Sequence, residues 1–487
     1  MRGRTARAAT VRVTSADLTR LIAPLEPLAA VPGAVWAVGG GLRDALLGRP
    51  VADLDLAVEG DAAPFAAALA RAHGADRFRL SREFGSWSVT GGSLPMAVDF
   101  TPLQGPDLAA DLDRRDFTVN ALALDISAPQ EGVVDRHGGL AHLSAGRLHL
   151  VTDGALADDP VRLMRLARQA QELGFTVDPG AADRARADAH MLWQAPGERL
   201  MRELGRIAAL PRADLALRLL DSLGVLGVLV PQLEDCRGVD QSPYHHLDVL
   251  GHTLEVVEHA VAVCADPTPV FRGCAPRVAD ALATPLADGL SARDGLVLAA
   301  LLHDMAKAAT KGVTPEGRIT FIGHDRDGAD MADALLRRLR TSNRLREMVV
   351  SCIRWHLPLG FLVHRTPLSL RQIDRYLQLT APQEVEVIVL TVADRLATRG
   401  PRTSEAAIRR HLVLAREVMA EHFRIVDRGP IVPLMPGDAL ARVAARPPGP
   451  WLARLQRQLR EEQLVGAVRT PDEAARFARA WSESHPD

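Results

Sequence analysis

In the stretch AVGGGLRDALLGRPVADLDLAVEG, residues 37–60, two glycines precede two aspartates. Gly39 and Gly40 follow an apolar run and open a short amphipathic segment. Bare backbone there lets N–H groups approach a phosphate at a helix N-terminus. Asp53 and Asp55 stand two apart in the strand-like DLDLAV, so the pleat sends both carboxylates to one face. Two hard oxygen ligands on one face suit Mg²⁺ carrying a triphosphate. Glycine pairs and Asp-x-Asp are each common in turns; here their order and spacing favour a phosphate site. Further along, His252, the pair His303–Asp304 and Asp394 follow the order H…HD…D. His303 and Asp304 are adjacent in the apolar LAALLHDMAK, a costly place for polar groups without partners. Imidazole with carboxylate suits Mg²⁺ or a divalent transition metal.

The chain that must position these groups has 487 residues, enough for three or four units at roughly 100–200 residues each. Its 58 Lys+Arg nearly balance 60 Asp+Glu, and 47% of residues are hydrophobic. That composition excludes a long disordered chain, and it excludes holding nucleic acid by bulk positive charge. Any polyanion must meet a local patch. Apart from Lys307 and Lys311 every basic side chain is an arginine, the side chain that grips phosphate bidentately. No apolar run reaches the roughly 20 residues of a membrane helix. The start, MRGRTARAATVRVT, is Arg-rich, but LIAPLEPLAA after it is broken by Pro and Glu, unlike a secretory signal; an organelle transit peptide is the weaker reading. Cys236, Cys264, Cys274 and Cys352 lack CxxC spacing, so neither a zinc knuckle nor a disulfide frame is expected. A cytoplasmic protein with no membrane partner is expected.

The expected architecture is α+β: an N-terminal extension (1–30), a small head (31–150), a helical neck (151–240), a histidine-bearing helical body (241–400) and a helical tail (401–487). VWAVGG, DLDLAV, SWSVTG and PMAVDF read as strands and AAPFAAALARAHG as a helix among them. DDPVRLMRLARQAQELGF reads as a helix with Asp158 or Asp159 as N-cap, Pro160 in the first turn and Gly174 as the C-terminal cap. Residues 264–289 read as a loop-rich insertion.

VGGGLRDALLG, DLDLAV, RRDFTVNALA (114–123), DDPVRLMRLARQAQELGF and ERLMREL (198–204) together resemble the class II tRNA nucleotidyltransferase and bacterial poly(A) polymerase family. The resemblance implies a polymerase-β-like head with a mixed sheet, and neck, body and tail that clamp the acceptor end of tRNA. It implies that Asp53 and Asp55 bind catalytic Mg²⁺, with Asp99 as a third carboxylate or else an ordinary strand-end aspartate. Gly39, Gly40 and Arg43 match triphosphate-side residues, although Arg43 can also simply pair with Asp44. Arg114, Arg115, Asp116 and Asn120 match an element used for ribose and phosphates; Arg115–Asp116 also reads as a surface ion pair. Metal held by Asp53 and Asp55 would serve an in-line displacement of pyrophosphate by the RNA 3′-hydroxyl.

Asp159 and Arg162, three apart, can share a helix face and hydrogen-bond the Watson–Crick edge of cytosine or adenine; the same spacing also suits helix capping. The resemblance assigns them the selection of CTP and ATP. Asp158 stands where the family usually has Glu, Arg165 continues the stripe, and Glu198, Arg199 and Glu203 read as neck braces. Only residues 100–113 separate Asp99 from RRDF. Full CCA-adding members usually carry a longer flexible loop there, so the short segment resembles the CC-adding enzymes. CC addition with a separate A-adding enzyme is the reading; complete CCA addition, A addition and poly(A) synthesis are the alternatives.

H…HD…D resembles the HD phosphohydrolase superfamily. His324 and His356 match its extra ligands and Lys307 its phosphate-side lysine, with Mg²⁺, Mn²⁺, Ni²⁺ or Co²⁺ as the implied metal. Such a site would act on phosphate ends or 2′,3′-cyclic phosphates. His245, His246 and His259 have no place in the pattern. A chain that is chiefly an HD hydrolase with a degenerate head is the reading from another class. The Arg-rich helix WLARLQRQLREEQL suits either tRNA phosphates or solvent.

Overall fold

The computed structural model of the chain describes residues 15–485, and the Arg-rich start lies outside the described residues. Two compact units result, Met1–Pro231 and Gln232–Asp487.

The first unit is built on a seven-stranded sheet of β1 (Val35–Val38), β2 (Asp53–Val58), β3 (Asp76–Arg79), β4 (Trp87–Thr90), β5 (Ala97–Pro102), β6 (Leu122–Asp125) and β7 (Val133–Asp135), in the order β3-β4-β5-β2-β1-β6-β7. Only β2 and β5 pair in parallel, which makes the sheet mixed. Leu54, Leu56 and Val58 are buried while Asp53 and Asp55 are exposed, the alternation that a strand with one solvated face produces. The helix Ala62–His73 begins the crossover from β2: Asp61 caps it by accepting the Ala63 N–H, Phe65, Ala66 and Leu69 bury its inner face, and Gly74 ends it at φ +60°. The four strands expected from the sequence form, and three more appear beside them. In β3, DRFR, all four residues are exposed, so no burial alternation marked it.

The neck is helical, with Arg162–Leu173, Pro179–Asp188, Gly197–Ala208 and Ala213–Ser222. Its first helix departs from the expected start. Asp158 ends the short turn Ala155–Asp158, Val161 is the N-cap, and Asp159 lies before the helix, accepting the Val161 N–H at 3.3 Å. The Asp-Asp-Pro sequence thus joins two helical pieces, and the Asp159 carboxylate still caps the entry to the second, with Pro160 in its first turn. Gly174 closes the helix at φ +70°, as expected.

In the second unit, Val249–Ala265, Ala292–Leu302, His324–Arg338, Asn343–Trp355 and Glu384–Ala397 form the helical framework. The expected insertion at 264–289 is mostly ordered helix: Ala275–Ala283 buries Val278 and Leu282, an amphipathic spacing that its prolines concealed. The C-terminal helices Gly437–Val443, Pro450–Leu464 and Pro471–Ser484 have their own core around Leu455, Leu459 and the Trp451–Trp481 pair. All four cysteines are free. No helix among the described residues is long and apolar enough to cross a membrane.

Candidate active site

Parallel register sets Asp55 of β2 directly opposite Asp99 of β5, and Asp53 opposite Ala97. Three carboxylates therefore share one face of two adjacent strands. Asp55 is reached by solvent yet lies deep in the cleft. Desolvation, opposed by Arg115 and reinforced by Asp99 and Asp53, pushes its pKa up to about 6. Burial also raises Asp99, against a hydrogen bond from Ser88. Three clustered acids whose charges resist one another form a site that a cation would relieve.

The glycine turn fits tightly against these acids. Gly39 takes φ +73°, and a Cβ there would stand 2.9 Å from Asp55 Oδ2. A Cβ on Gly41 would stand 2.6 Å from the Asp53 carbonyl oxygen, so the third glycine is also required. Gly41, which the Gly39–Gly40 pattern leaves out, continues the pair in sequence.

Around the acids runs a cleft of about 1070 Å³ lined by Gly39, Asp53, Asp55, Arg115, Asp159 and Arg162, among others. Arg43 bonds Asp44 at 2.9 Å, as its alternative reading held, and also donates to Asn120 Oδ1 at 2.8 Å and Gln169 Oε1 at 3.3 Å. The Arg115–Asp116 pair does not form. Arg115 turns to Asp111 at 2.8 Å, because that carboxylate lies one helical turn earlier, and Asp116 receives Arg165 at 2.6 Å. Burial opposes ionisation of Asp116, but Arg165, Asn120 and the Phe117 N–H override it and hold its pKa at about 2. Asp111 also accepts the Gln104 N–H at 3.0 Å, and Arg114 donates to the Gln104 carbonyl at 2.9 Å. The segment from β5 to Arg114 is therefore short and pinned at both ends.

Asp159 and Arg162 do not share a helix face as expected, since Asp159 precedes the helix. Arg199 grips both Asp159 oxygens at 3.0 and 2.7 Å. Arg162 donates to the carbonyls of Arg114 and Ala155 at 2.6 and 2.9 Å, 4.0 Å from Asp159. Glu203 accepts Arg168 at 2.7 Å. Asp111 and Gln169 are working parts that the sequence analysis does not single out, and Arg199, expected there as a neck brace, is the clamp on Asp159.

In the second unit, His303 is the C-cap of Ala292–Leu302 and Asp304 follows it, so both side chains leave the helix end and converge with others. His252 Nε2 stands 3.0 Å from Asp394 Oδ1 and 3.7 Å from Asp304 Oδ2; His303 Nε2 stands 3.0 Å and Lys307 Nζ 2.7 Å from Asp304 Oδ2. His324 Nε2 is 3.4 Å from Asp304 Oδ1. Each of His303, His324 and His356 places Nδ1 within 2.9 Å of a backbone carbonyl, of Ala300, Phe321 and Ile353. Donation there leaves Nε2 as a lone-pair ligand aimed inward. His252, His303 and Asp304 offer atoms within 4.8 Å of one another, as do Asp304, His324 and His356. His324 Nε2 and Asp304 Oδ1 are buried without a hydrogen bond, and a divalent metal would satisfy both. Burial disfavours the Asp304 anion, but His303 and Lys307 hold its pKa well below the usual range. His245, without a place in the sequence pattern, packs edge-on against His252 at 4.8 Å.

Against known proteins, the chain matches the Poly A polymerase head domain over residues 35–149, the Probable RNA and SrmB- binding site of polymerase A over 174–236, and the HD domain over 249–399. An A-adding tRNA nucleotidyltransferase of Deinococcus radiodurans is 33% identical, with 94% of this chain and 98% of that protein aligned. A CC-adding tRNA nucleotidyltransferase of Thermus thermophilus is 33% identical over 92% of this chain and 94% of its own. The solved complex of a CCA-adding enzyme with ATP shares the fold at TM-score 0.66 and 18% identity, covering 98% of this chain and 99% of that one. The chain therefore belongs to the tRNA nucleotidyltransferases of the CCA-adding type, with an HD domain following the nucleotidyltransferase head.

Proposed function

We propose that the protein adds two cytidines to the tRNA 3′ end from CTP and stops, leaving the terminal adenosine to a second enzyme. The short segment between Asp99 and Arg114, pinned through Gln104, Asp111 and Arg114, carries this reading. It has no slack with which to refit the nucleotide pocket from a pyrimidine to a purine. A relative that adds A alone matches as well as one that adds CC, so A addition is the second reading.

Asp53, Asp55 and Asp99 are the catalytic carboxylates of this reading. Mg²⁺ held by Asp53 and Asp55 would supply charge stabilisation for the attacking oxygen and the departing pyrophosphate. Gly39 and Gly40 bring backbone N–H groups to the triphosphate, with Arg43, Arg114 and Arg115 as cations and Asp116 and Asn120 holding that wall in place. Asp159 offers an acceptor to the cytosine amino group and Arg162 donors to N3 and O2. Uracil reverses the polarity at N3 and at position 4 and is refused. Arg165 holds Asp116 and so orients the ribose side.

In the HD unit, His252, His303, Asp304 and Asp394 would hold a divalent metal, with His324 and His356 as the further donors available to it. Hydrolysis of phosphate at RNA ends is the activity that this donor set supports.

The two sites separate cleanly in one experiment. Labelled CTP, Mg²⁺ and tRNA lacking its CCA end are incubated with the protein and with Asp55→Ala. The variant is expected to lose incorporation by at least a thousandfold. Unchanged RNA processing by Asp55→Ala would hand the function to the HD unit.

A further inference from the structure

The sheet face that carries the carboxylates continues beyond them. Asp55 stands opposite Asp99, Asp99 opposite Ser88 and Ser88 opposite Phe78, one residue each from β2, β5, β4 and β3. Directly opposed residues share a face, so this row leads from the acids out to the edge strand. Leu80 follows two residues after Phe78, and its N–H bonds the Ser86 carbonyl at 2.9 Å. Ser86 in turn receives the Thr101 hydroxyl at 3.0 Å. The hairpin turn is ordered by the Phe84 N–H, which donates to the Ser81 hydroxyl at 3.2 Å. Phe84 lines the same cleft as Asp53 and Asp55.

Phe78, Leu80 and Phe84 are 49%, 49% and 51% exposed. Protection of the edge strand does not explain them. Arg77 and Arg79 serve that end from the other face, stacked 5.4 and 5.0 Å from the Trp87 ring centroid. Apolar groups displayed together beside a polar cleft mark a binding surface.

We propose that Phe84, Leu80 and Phe78 form a stacking ramp for the last few nucleotides of the RNA acceptor strand, leading its 3′-hydroxyl to the carboxylates. The proposal rests on the reading of Asp53 and Asp55 as the transfer centre. Sheet order identifies the occupant. The glycine turn follows β1, on one side of β2, and the ramp lies on β3 and its hairpin to β4, beyond β5 on the other. With the triphosphate on the glycine side, the strand being extended is left with the ramp. Three strand spacings of about 4.8 Å span roughly 14 Å, the length of a few bases stacked at about 3.4 Å. Stacking tolerates any base, which suits an end whose last base changes with each addition.

The test uses full-length protein and a tRNA transcript with 2-aminopurine as its 3′-terminal base. Wild-type protein is expected to change the probe's fluorescence on binding, and the Phe78→Ala/Phe84→Ala double variant to lose that change. Both residues are half exposed, so the fold should persist, as circular dichroism will report. In steady-state C addition, KM for tRNA is expected to rise roughly 5- to 100-fold in the double variant. KM for CTP should stay within about twofold, and Phe84→Trp should behave as wild type. A rise in KM for CTP with that for tRNA unchanged would assign the aromatics to the incoming base and overturn the ramp. So would a fluorescence change that survives the double substitution. Asp55→Asn keeps the two readings apart, because it should abolish transfer while preserving the fluorescence response. Transfer that survives Asp55→Asn would instead sink the transfer-centre reading.

Discussion

Arg199 closes on Asp159 with both terminal nitrogens, at 3.0 and 2.7 Å, while Arg162, three residues from Asp159, stands 4.0 Å away. The acceptor proposed to read the base is thus held by an arginine 40 residues further along the chain. A fixed acceptor discriminates better than a swinging one, since its orientation is settled before the nucleotide arrives. Arg199→Ala is expected to lower kcat/KM for CTP by roughly 10- to 100-fold and to relax discrimination against UTP. Kinetics with the two nucleotides will check it, and equal losses for CTP and UTP would contradict the positioning role.

Asp116 and Arg165 predict an acid-sensitive brace. The folded-state pKa of Asp116 is depressed from 3.8 to about 2, so the pair's contribution is fully present above pH 3.8 and is lost as pH falls towards 2. The shift corresponds to about 2 kcal/mol. Asp116→Asn should therefore be less stable than the parent by about that amount at pH 7, with the difference shrinking below pH 4. Urea melts of both proteins from pH 3 to 7 would measure it.

Gly39→Ala tests the close approach of the turn to the acids. Its methyl would sit 2.9 Å from Asp55 Oδ2 in a residue at φ +73°. The substitution is expected to cost about 1–2 kcal/mol of stability and more than tenfold in transfer rate. A variant with wild-type turnover would show that the turn has room to spare.

How much of this was legible in the residues depends on how locally each feature is encoded. Asp53 and Asp55 could be placed because strand period and ligand chemistry agree within three residues. β3 could not, because DRFR is exposed throughout and shows no alternation. Asp159 does lie where a capping aspartate belongs, its carboxylate accepting the Val161 N–H, but the spacing to Arg162 wrongly suggests a shared helix face, because the carboxylate also takes Arg199 from 40 residues away. Gln169 is not legible locally, because its partners Arg43 and Asn120 lie 126 and 49 residues away. Asp111 pairs with Arg115 one helical turn on, a local spacing that reading Arg115 with Asp116 overlooks.

The HD cluster predicts binding of a divalent metal without reference to turnover. Protein stripped with a chelator should gain thermal stability when Mn²⁺, Ni²⁺, Co²⁺ or Mg²⁺ is restored, about 2.7 kcal/mol at a hundred times Kd. His303→Ala with His324→Ala should remove most of that gain. Equal stabilisation of variant and parent would place the metal elsewhere.

The central claim is met most directly by three tRNA transcripts, ending at the discriminator base, at C and at CC. Each is incubated with the full-length protein, Mg²⁺ and CTP, ATP or both, and the products are sized. Growth that halts at CC with ATP present is the predicted result. Extension to CCA, or addition of A alone to the CC-ending transcript, would contradict it.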